Sequence, residues 1–210
     1  MENGNVNLLI VYYSSTGANH QLAKWAEEGS KEAGANVRMR KVKELAPQAA
    51  IDANPAWKKN FEATKNIKEA TQEDLEWADA IIFSSPTRYG NMPSQMQQFF
   101  DLTGPLWAAG KLANKVVSAM SSAMNPHGGQ ESTILTIYKS MHHWGAIVVA
   151  PGYTAQEIFK AGGNPYGASA TVDKNGNISD AEEIKNAVIH QAKRTISIAE
   201  SVKHTLVEQE

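Results

Sequence analysis

Cysteine is absent from the 210 residues. That excludes disulfide staples, thiolate metal sites and a cysteine nucleophile together, so redox chemistry here needs a borrowed cofactor. Long apolar runs are missing too: no stretch approaches the about 18 continuous apolar residues of a membrane-spanning helix. The polar start Met1–Asn5 lacks the basic region and apolar core of a signal peptide, and the expectation is a soluble, cytoplasmic protein. Charge of one sign is also missing. The formal net charge is -2, from 20 basic and 22 acidic residues spread along the chain, which gives no electrostatic footprint for nucleic acid or an anionic membrane. Repeats and low-complexity tracts are absent. No metal-ligand spacing is present: His20, His142, His190 and His204 fall in helical patterns and His127 in a loop. No carboxylate pair or Ser/His/Asp arrangement stands out.

What is present is punctuated apolar sequence, in an amount that predicts one domain with insertions at about 43–70 and 151–180. The apolar run Leu8–Val11 ends in Tyr12 and Tyr13 and then in Ser14, Ser15, Thr16, Gly17, Ala18 and Asn19. An apolar strand that stops in hydroxyls and a glycine, just ahead of a helical pattern, reads as the first strand-to-helix turn of an α/β sheet. Leu22, Ala23, Ala26 and Ala33 carry the helix to Gly34, and Val37 and Met39 alternate with Arg38 and Arg40 as an edge strand does. The connection from Lys43 to Glu76 has weak periodicity and leads into a short helix at Thr71–Trp77. Further strands are predicted at Ala78–Phe83, Val116–Met120 and Gly145–Ala150. Helices are predicted after a Ser94 N-cap, over Glu131–His143, and from Ser179 or Asp180 to the end, with Ile184, Val188, Ala192, Ile196, Ala199, Val202 and Leu206 on one face.

Five strands alternating with helices argue an α/β doubly wound parallel sheet covered on both faces. Ligands in such sheets bind outside the carboxyl ends of the strands, where the strand order reverses. For the order 2-1-3-4-5 this brings together the loops that begin at Ser14, Ser84 and Ser121. The first offers amides and the hydroxyls of Ser14, Ser15 and Thr16 but no lysine. It matches neither a Walker loop nor a dinucleotide fingerprint. It suits one terminal phosphate held at a helix start, or else it is an ordinary capped turn. The second, Pro86, Thr87, Arg88, Tyr89, Gly90 and Asn91, combines a cation, a flat aromatic and a glycine that lets backbone approach a ring, or else is a proline-bounded turn. The third runs through Ser122, Ala123 and Asn125 to Gly128 and Gly129.

These segments, with Met92, Gly104–Trp107, Gln130, Glu131 and Gly162–Ala168, resemble the WrbA family of flavodoxin-like NAD(P)H:quinone oxidoreductases over Leu9 to about Lys203, least between Lys43 and Glu73. The resemblance implies FMN as cofactor, NADH or NADPH as co-substrate, a quinone as acceptor, and homotetramers with sites near subunit junctions. It places FMN phosphate on Ser14–Asn19, the flavin ring against Pro86–Asn91, and further contacts from Ser122 to Gly129. It also puts His143 beside the flavin as proton carrier, with Trp107 and Tyr89 lining the substrate cavity. The chain departs from the family pattern at Thr16, where an aromatic is common, at Trp144, where a second histidine is, and in the third loop, where Ala123–His127 intervene. A flavodoxin-type electron carrier or a flavin-binding regulatory protein is the alternative, against which the near-neutral charge and the insertions argue.

Overall fold

The computed structural model describes residues 5–207, without the side chains of residues 206 and 207. The predicted polar start therefore falls largely outside the described residues, as does the side chain of Leu206. In chain order the elements are β1 (Asn7–Tyr12), α1 (Ala18–Glu32), β2 (Asn36–Lys41), α2 (Gln48–Asp52), α3 (Pro55–Ala63), α4 (Gln72–Trp77) and β3 (Ala80–Pro86). They continue with α5 (Ser94–Asp101), α6 (Gly104–Ala108), β4 (Val116–Ala123), α7 (Gln130–Trp144), β5 (Ile147–Val148), α8 (Gln156–Lys160), β6 (Ser169–Thr171) and α9 (Ala181–Val207).

The parallel sheet has the order β2-β1-β3-β4-β5, as predicted. A sixth strand, β6, pairs in parallel with β4 through Ser121↔Ser169 to Ala123↔Thr171. It comes from the segment expected to be loop-rich, and it continues the sheet beside the upper end of β4, where two-residue β5 has already ended. Two strands are longer than their apolar runs. β3 continues through Ser84 and Ser85 to Pro86 and β4 through Ser122 to Ala123, because their backbones pair in the ladder and the buried hydroxyls, Ser121 Oγ excepted, find partners. Ser84 Oγ, for example, donates to Asn19 O at 3.1 Å.

Alternation along β1 feeds two cores, as a strand buried on both faces must. Leu8, Ile10 and Tyr12 pack with Leu22, Ala23 and Ala26 of α1 and Ile184, Val188, Ala192 and Ile196 of α9. Leu9, Val11 and Tyr13 face the other way, onto Met96 and Phe100 of α5 and Ile134, Ile137 and Met141 of α7. Phe83 meets Phe100 edge-on at 4.9 Å in that second layer. The fully buried aliphatic and aromatic side chains contribute about 1.5–3 kcal/mol each, which makes these two layers the rigid base under the strand ends. Edge strand β2 is held differently. Asp74 of α4 accepts from Arg40 Nε at 2.8 Å and Arg38 Nη1 at 3.3 Å, and it closes a capping box with Thr71.

The region expected to be a plain connection contains α2 and α3. Asn54 caps α3, accepting from the amides of Ala56 and Trp57, with Pro55 in its first turn. Pro93, rather than Ser94, occupies the cap position of α5, and Ser94 opens the helix without a side-chain cap. Asp180 directly precedes α9 and its carbonyl accepts from Ile184 N–H at 3.0 Å.

Candidate active site

The first turn begins where β1 ends. Gly17, at φ +102, caps α1, and the Gln21 amide is the first to bond inside the helix, to Gly17 O at 2.9 Å. The amides ahead of it point out of the helix start and are free for an anion, apart from Gly17 N–H, which donates to Ser14 Oγ at 3.0 Å.

The second loop leaves β3 beside it and forms a tight two-residue hairpin. Arg88 N–H donates to Asn91 O at 2.7 Å and Asn91 N–H to Arg88 O at 3.0 Å, with Tyr89 at φ +53 and Gly90 at φ +79 between them. Two positive φ values in succession are the signature of a type I′ turn. The turn thrusts Tyr89 fully into solvent. Arg88 bridges back to the first loop, its Nη2 donating to Ser15 Oγ at 3.3 Å. The third loop leaves β4 and enters α7 through Gly129, at φ +98. A Cβ on Gly129 would lie 2.8 Å from Gly90 Cα and 3.1 Å from Thr87 Oγ1, so the second and third loops touch through backbone. Asn19 locks the floor: its Nδ2 donates to Ser122 Oγ at 2.8 Å and its carbonyl oxygens accept from Ser84 Oγ.

The three loops enclose a cavity of about 510 Å³ lined by Ser14, Ser15, Thr16, Ala18 and Asn19, by Pro86, Thr87 and Arg88, and by Ser122, Ala123, Asn125 and Gly128. Gly17, Gly90 and Gly129 do not line it, and neither do Tyr89 and Asn91, which stand in the turn beyond Arg88. Five further residues complete the lining: Asn54, Met124, Val172, Asp173 and Lys174. The last three belong to a hairpin after β6, closed by the Val172↔Ile178 bridge. A Cβ on its Gly176 would sit 2.3 Å from Thr16 O, so the hairpin tip lies directly on the first loop. The only advance signal was the turn composition of Asp173–Asn177, in which the Asp173 carboxylate accepts from the amides of Asn175 and Asn177.

His143 and Trp107 are not brought to this cavity within one chain. Trp107 Nε1 donates to His143 O at 2.8 Å, so the two form their own cluster, and both are exposed. His143 lies at the far end of α7, roughly 20 Å of helix from Gln130. A larger cavity of about 780 Å³, between α1, α3 and the hairpin, receives no residue from the loops after β3 or β4. It is therefore not where the strand ends converge.

The donor set suits a flat ligand with one phosphate. It has free amides and a guanidinium at one end, peptide edges and small side chains along the rest, and a volume inside the usual range for cofactor sites. Tyr13, just behind the first loop, has its hydroxyl pKa raised by burial and then by the nearby Glu44 carboxylate, so it stays a neutral donor.

Among known proteins, the chain is 52% identical over 193 residues to the NAD(P)H dehydrogenase (quinone) of Deinococcus radiodurans, covering 92% of this chain and 95% of that one. It is 39% identical over 199 residues to the protein of the same name from Geotalea daltonii, covering 92% and 97%. Among solved structures, the flavodoxin-like WrbA-like protein from Agrobacterium tumefaciens superimposes with a TM-score of 0.66 at 21% identity, over 94% of this chain and 99% of that one. An archaeal flavodoxin does so with a TM-score of 0.57. Both share the fold. Residues 6–160 match the family described as NADPH-dependent FMN reductase, and with that match and these relatives the chain belongs to the NADPH-dependent FMN reductase family, beside the NAD(P)H dehydrogenases (quinone).

Proposed function

We propose that this chain is an FMN-dependent oxidoreductase that takes hydride from NADH or NADPH and passes it, with a proton from solvent or a side chain, to a quinone. The observation that carries this reading is the convergence of the loops after β1, β3 and β4 on one polar cavity. Bound FMN would supply the two-electron exchange between nucleotide and quinone. The chain's own work is then positional. The amides of Ser15, Thr16, Ala18 and Asn19 and the Arg88 guanidinium would hold the phosphate, Pro86–Asn91 and Ser122–Gly129 would present backbone to the ring, and the Asn19–Ser122–Ser84 network keeps their spacing. The relatives' names support the nucleotide and the quinone.

His143 and Trp107 have a place in this reading only between chains. Their joint position at the opposite end of α7, exposed, suits a homotetramer in which one subunit lends them to the cavity of another: Trp107 to cover the substrate and His143 to hand over a proton. Among the described residues no helix is long and apolar enough to cross a membrane; a cytoplasmic location is part of the proposal. The test is a steady-state assay of FMN-loaded protein with each nucleotide and benzoquinone, alongside its mass in solution. Turnover that falls several-fold in His143→Ala with FMN retained supports the assignment. FMN binding without turnover turns the reading toward an electron carrier.

A further inference from the structure

Behind the first loop lies a polar network that the cofactor cavity does not include. The Glu44 carboxylate accepts from the amides of Leu45 and Ala46 at 2.9 and 3.0 Å, from Gln95 Nε2 at 2.7 Å, from Tyr13 OH at 3.1 Å and from Trp57 Nε1 at 3.2 Å. One anion thus fastens α3, through Trp57, to the end of β1 and to α5. Three residues on, and so on the same side of α3, Asn60 Nδ2 donates to Ser14 O at 2.8 Å and to Ser15 O at 3.1 Å.

Peptide planarity gives this contact a consequence. In a trans peptide the carbonyl and the following amide point to opposite sides of the chain. Ser14 O and Ser15 O are drawn outward to Asn60, so the amides of Ser15 and Thr16 are aimed the other way, toward the cavity that Ser15 and Thr16 line. A Cβ on Gly17 would lie 3.4 Å from Asn60 Oδ1, an ordinary contact, so it is the backbone at φ +102 and not the clasp that calls for glycine there.

We propose that Asn60 is a positioning residue for the phosphate end of the cofactor, and that through these two carbonyls it sets the chain's preference for FMN over riboflavin. The proposal rests on the assignment of the cavity to FMN. Asn60 touches no ligand itself. It turns a loop without lysine into an ordered amide donor set.

The experiment is a titration of flavin-free protein with FMN and with riboflavin, followed by quenching of flavin fluorescence, for wild type, Asn60→Ala and the uncharged, near-isosteric Asn60→Leu, which keeps the side-chain volume but not the donor. Loss of two neutral hydrogen bonds that pre-orient the loop is expected to raise the Kd for FMN by roughly 10- to 100-fold. The Kd for riboflavin should stay within about twofold, because it has no phosphate to be read. The ratio of the two constants is the readout. Equal weakening of both flavins, whether from a disturbed fold or a lost contact, overturns the proposal, and so does an unchanged ratio. If wild-type protein shows no preference for FMN, the assignment of the cavity itself fails, and the proposal with it.

Discussion

Substituting Gly129 by alanine tests whether the second and third loops must touch. Two costs add at this position. The backbone there has φ +98, a region in which a Cβ costs about 1–2 kcal/mol. The new methyl would also lie 2.8 Å from Gly90 Cα, 3.1 Å from Gly90 N and 3.1 Å from Thr87 Oγ1. Two of these three neighbours are backbone and the third is tied by hydrogen bonds to Gly90 N and Thr133 Oγ1, so none can swing aside like the end of a flexible side chain. Overpacking of that kind costs a further ~1–3 kcal/mol. The total, about 2–5 kcal/mol, is a large share of the ~5–15 kcal/mol by which a domain is stable. It would lower the melting temperature of the flavin-free protein by roughly 5–15 °C.

The control is Gly34→Ala. Gly34 has φ +84 but nothing within 4 Å of the added carbon, so it registers the backbone term alone. Thermal melts of the three proteins, with FMN titrations beside them, separate the terms. Gly129→Ala should lose clearly more stability than Gly34→Ala and should also bind FMN more weakly, because relief of the clash moves the Arg88–Asn91 turn off the cavity wall. Equal melting losses and unaltered FMN affinity would refute the argument that these loops are held at backbone contact.

Other outcomes follow from the same structure. Asp74→Asn should cost about 2–4 kcal/mol in urea unfolding, since it strips the charge from a buried carboxylate and strands Arg40, whose side chain is 18% exposed, without its partner. Gly176→Ala should cost about 1–2 kcal/mol, the backbone term of its φ +87, with the overlap on Thr16 relieved as the hairpin tip swings away, and FMN should dissociate several-fold faster as Lys174 leaves the cavity wall; an unchanged dissociation rate would sink that account. Burial holds the pKa of both His20 and His190 below the ordinary histidine value. Their native pKa values lie under their unfolded ones, so their contribution is fully present above about pH 6.5 and is lost as pH falls through that value toward the native pKa. The melting temperature should therefore drop between pH 7.5 and 5.5, and His20→Phe, which preserves a ring against Tyr12, should flatten part of that drop.

The sheet was legible because its signals are local. Apolar runs of strand length alternate with helical stretches, and each strand end changes abruptly to hydroxyls, glycine and proline. What escaped had no such signal. α3 buries no side chain completely, so it carries no apolar stripe to count, although Asn54 followed by Pro55 is a readable helix start. β6 is three residues long and exists only because β4 offers it an edge. Ser84, Ser85, Ser121 and Ser122 read as loop by composition but are strand, as their buried neighbours make pairing cheaper than solvation. His143 and Trp107 were legible as residue types, but their distance from the cavity is a property of a whole helix length, which no motif records.

The missing lysine of the first loop shows why a site like this is better described as assembled than as encoded in a motif. A phosphate needs donors, charge and fixed geometry, and in this fold each comes from a different place. On the proposed reading the donors are the amides at the start of α1. The positive charge arrives with Arg88, 73 positions from the Ser15 it bridges to, and with Lys174 on the hairpin after β6. The geometry is imposed from outside by Asn60, on a helix that Glu44 anchors to β1 and α5. Exposed cations are screened by salt and contribute little alone, whereas amides aimed by a fixed peptide need no reorganisation when the anion arrives. Orientation of the first loop therefore outweighs its lack of a charged residue.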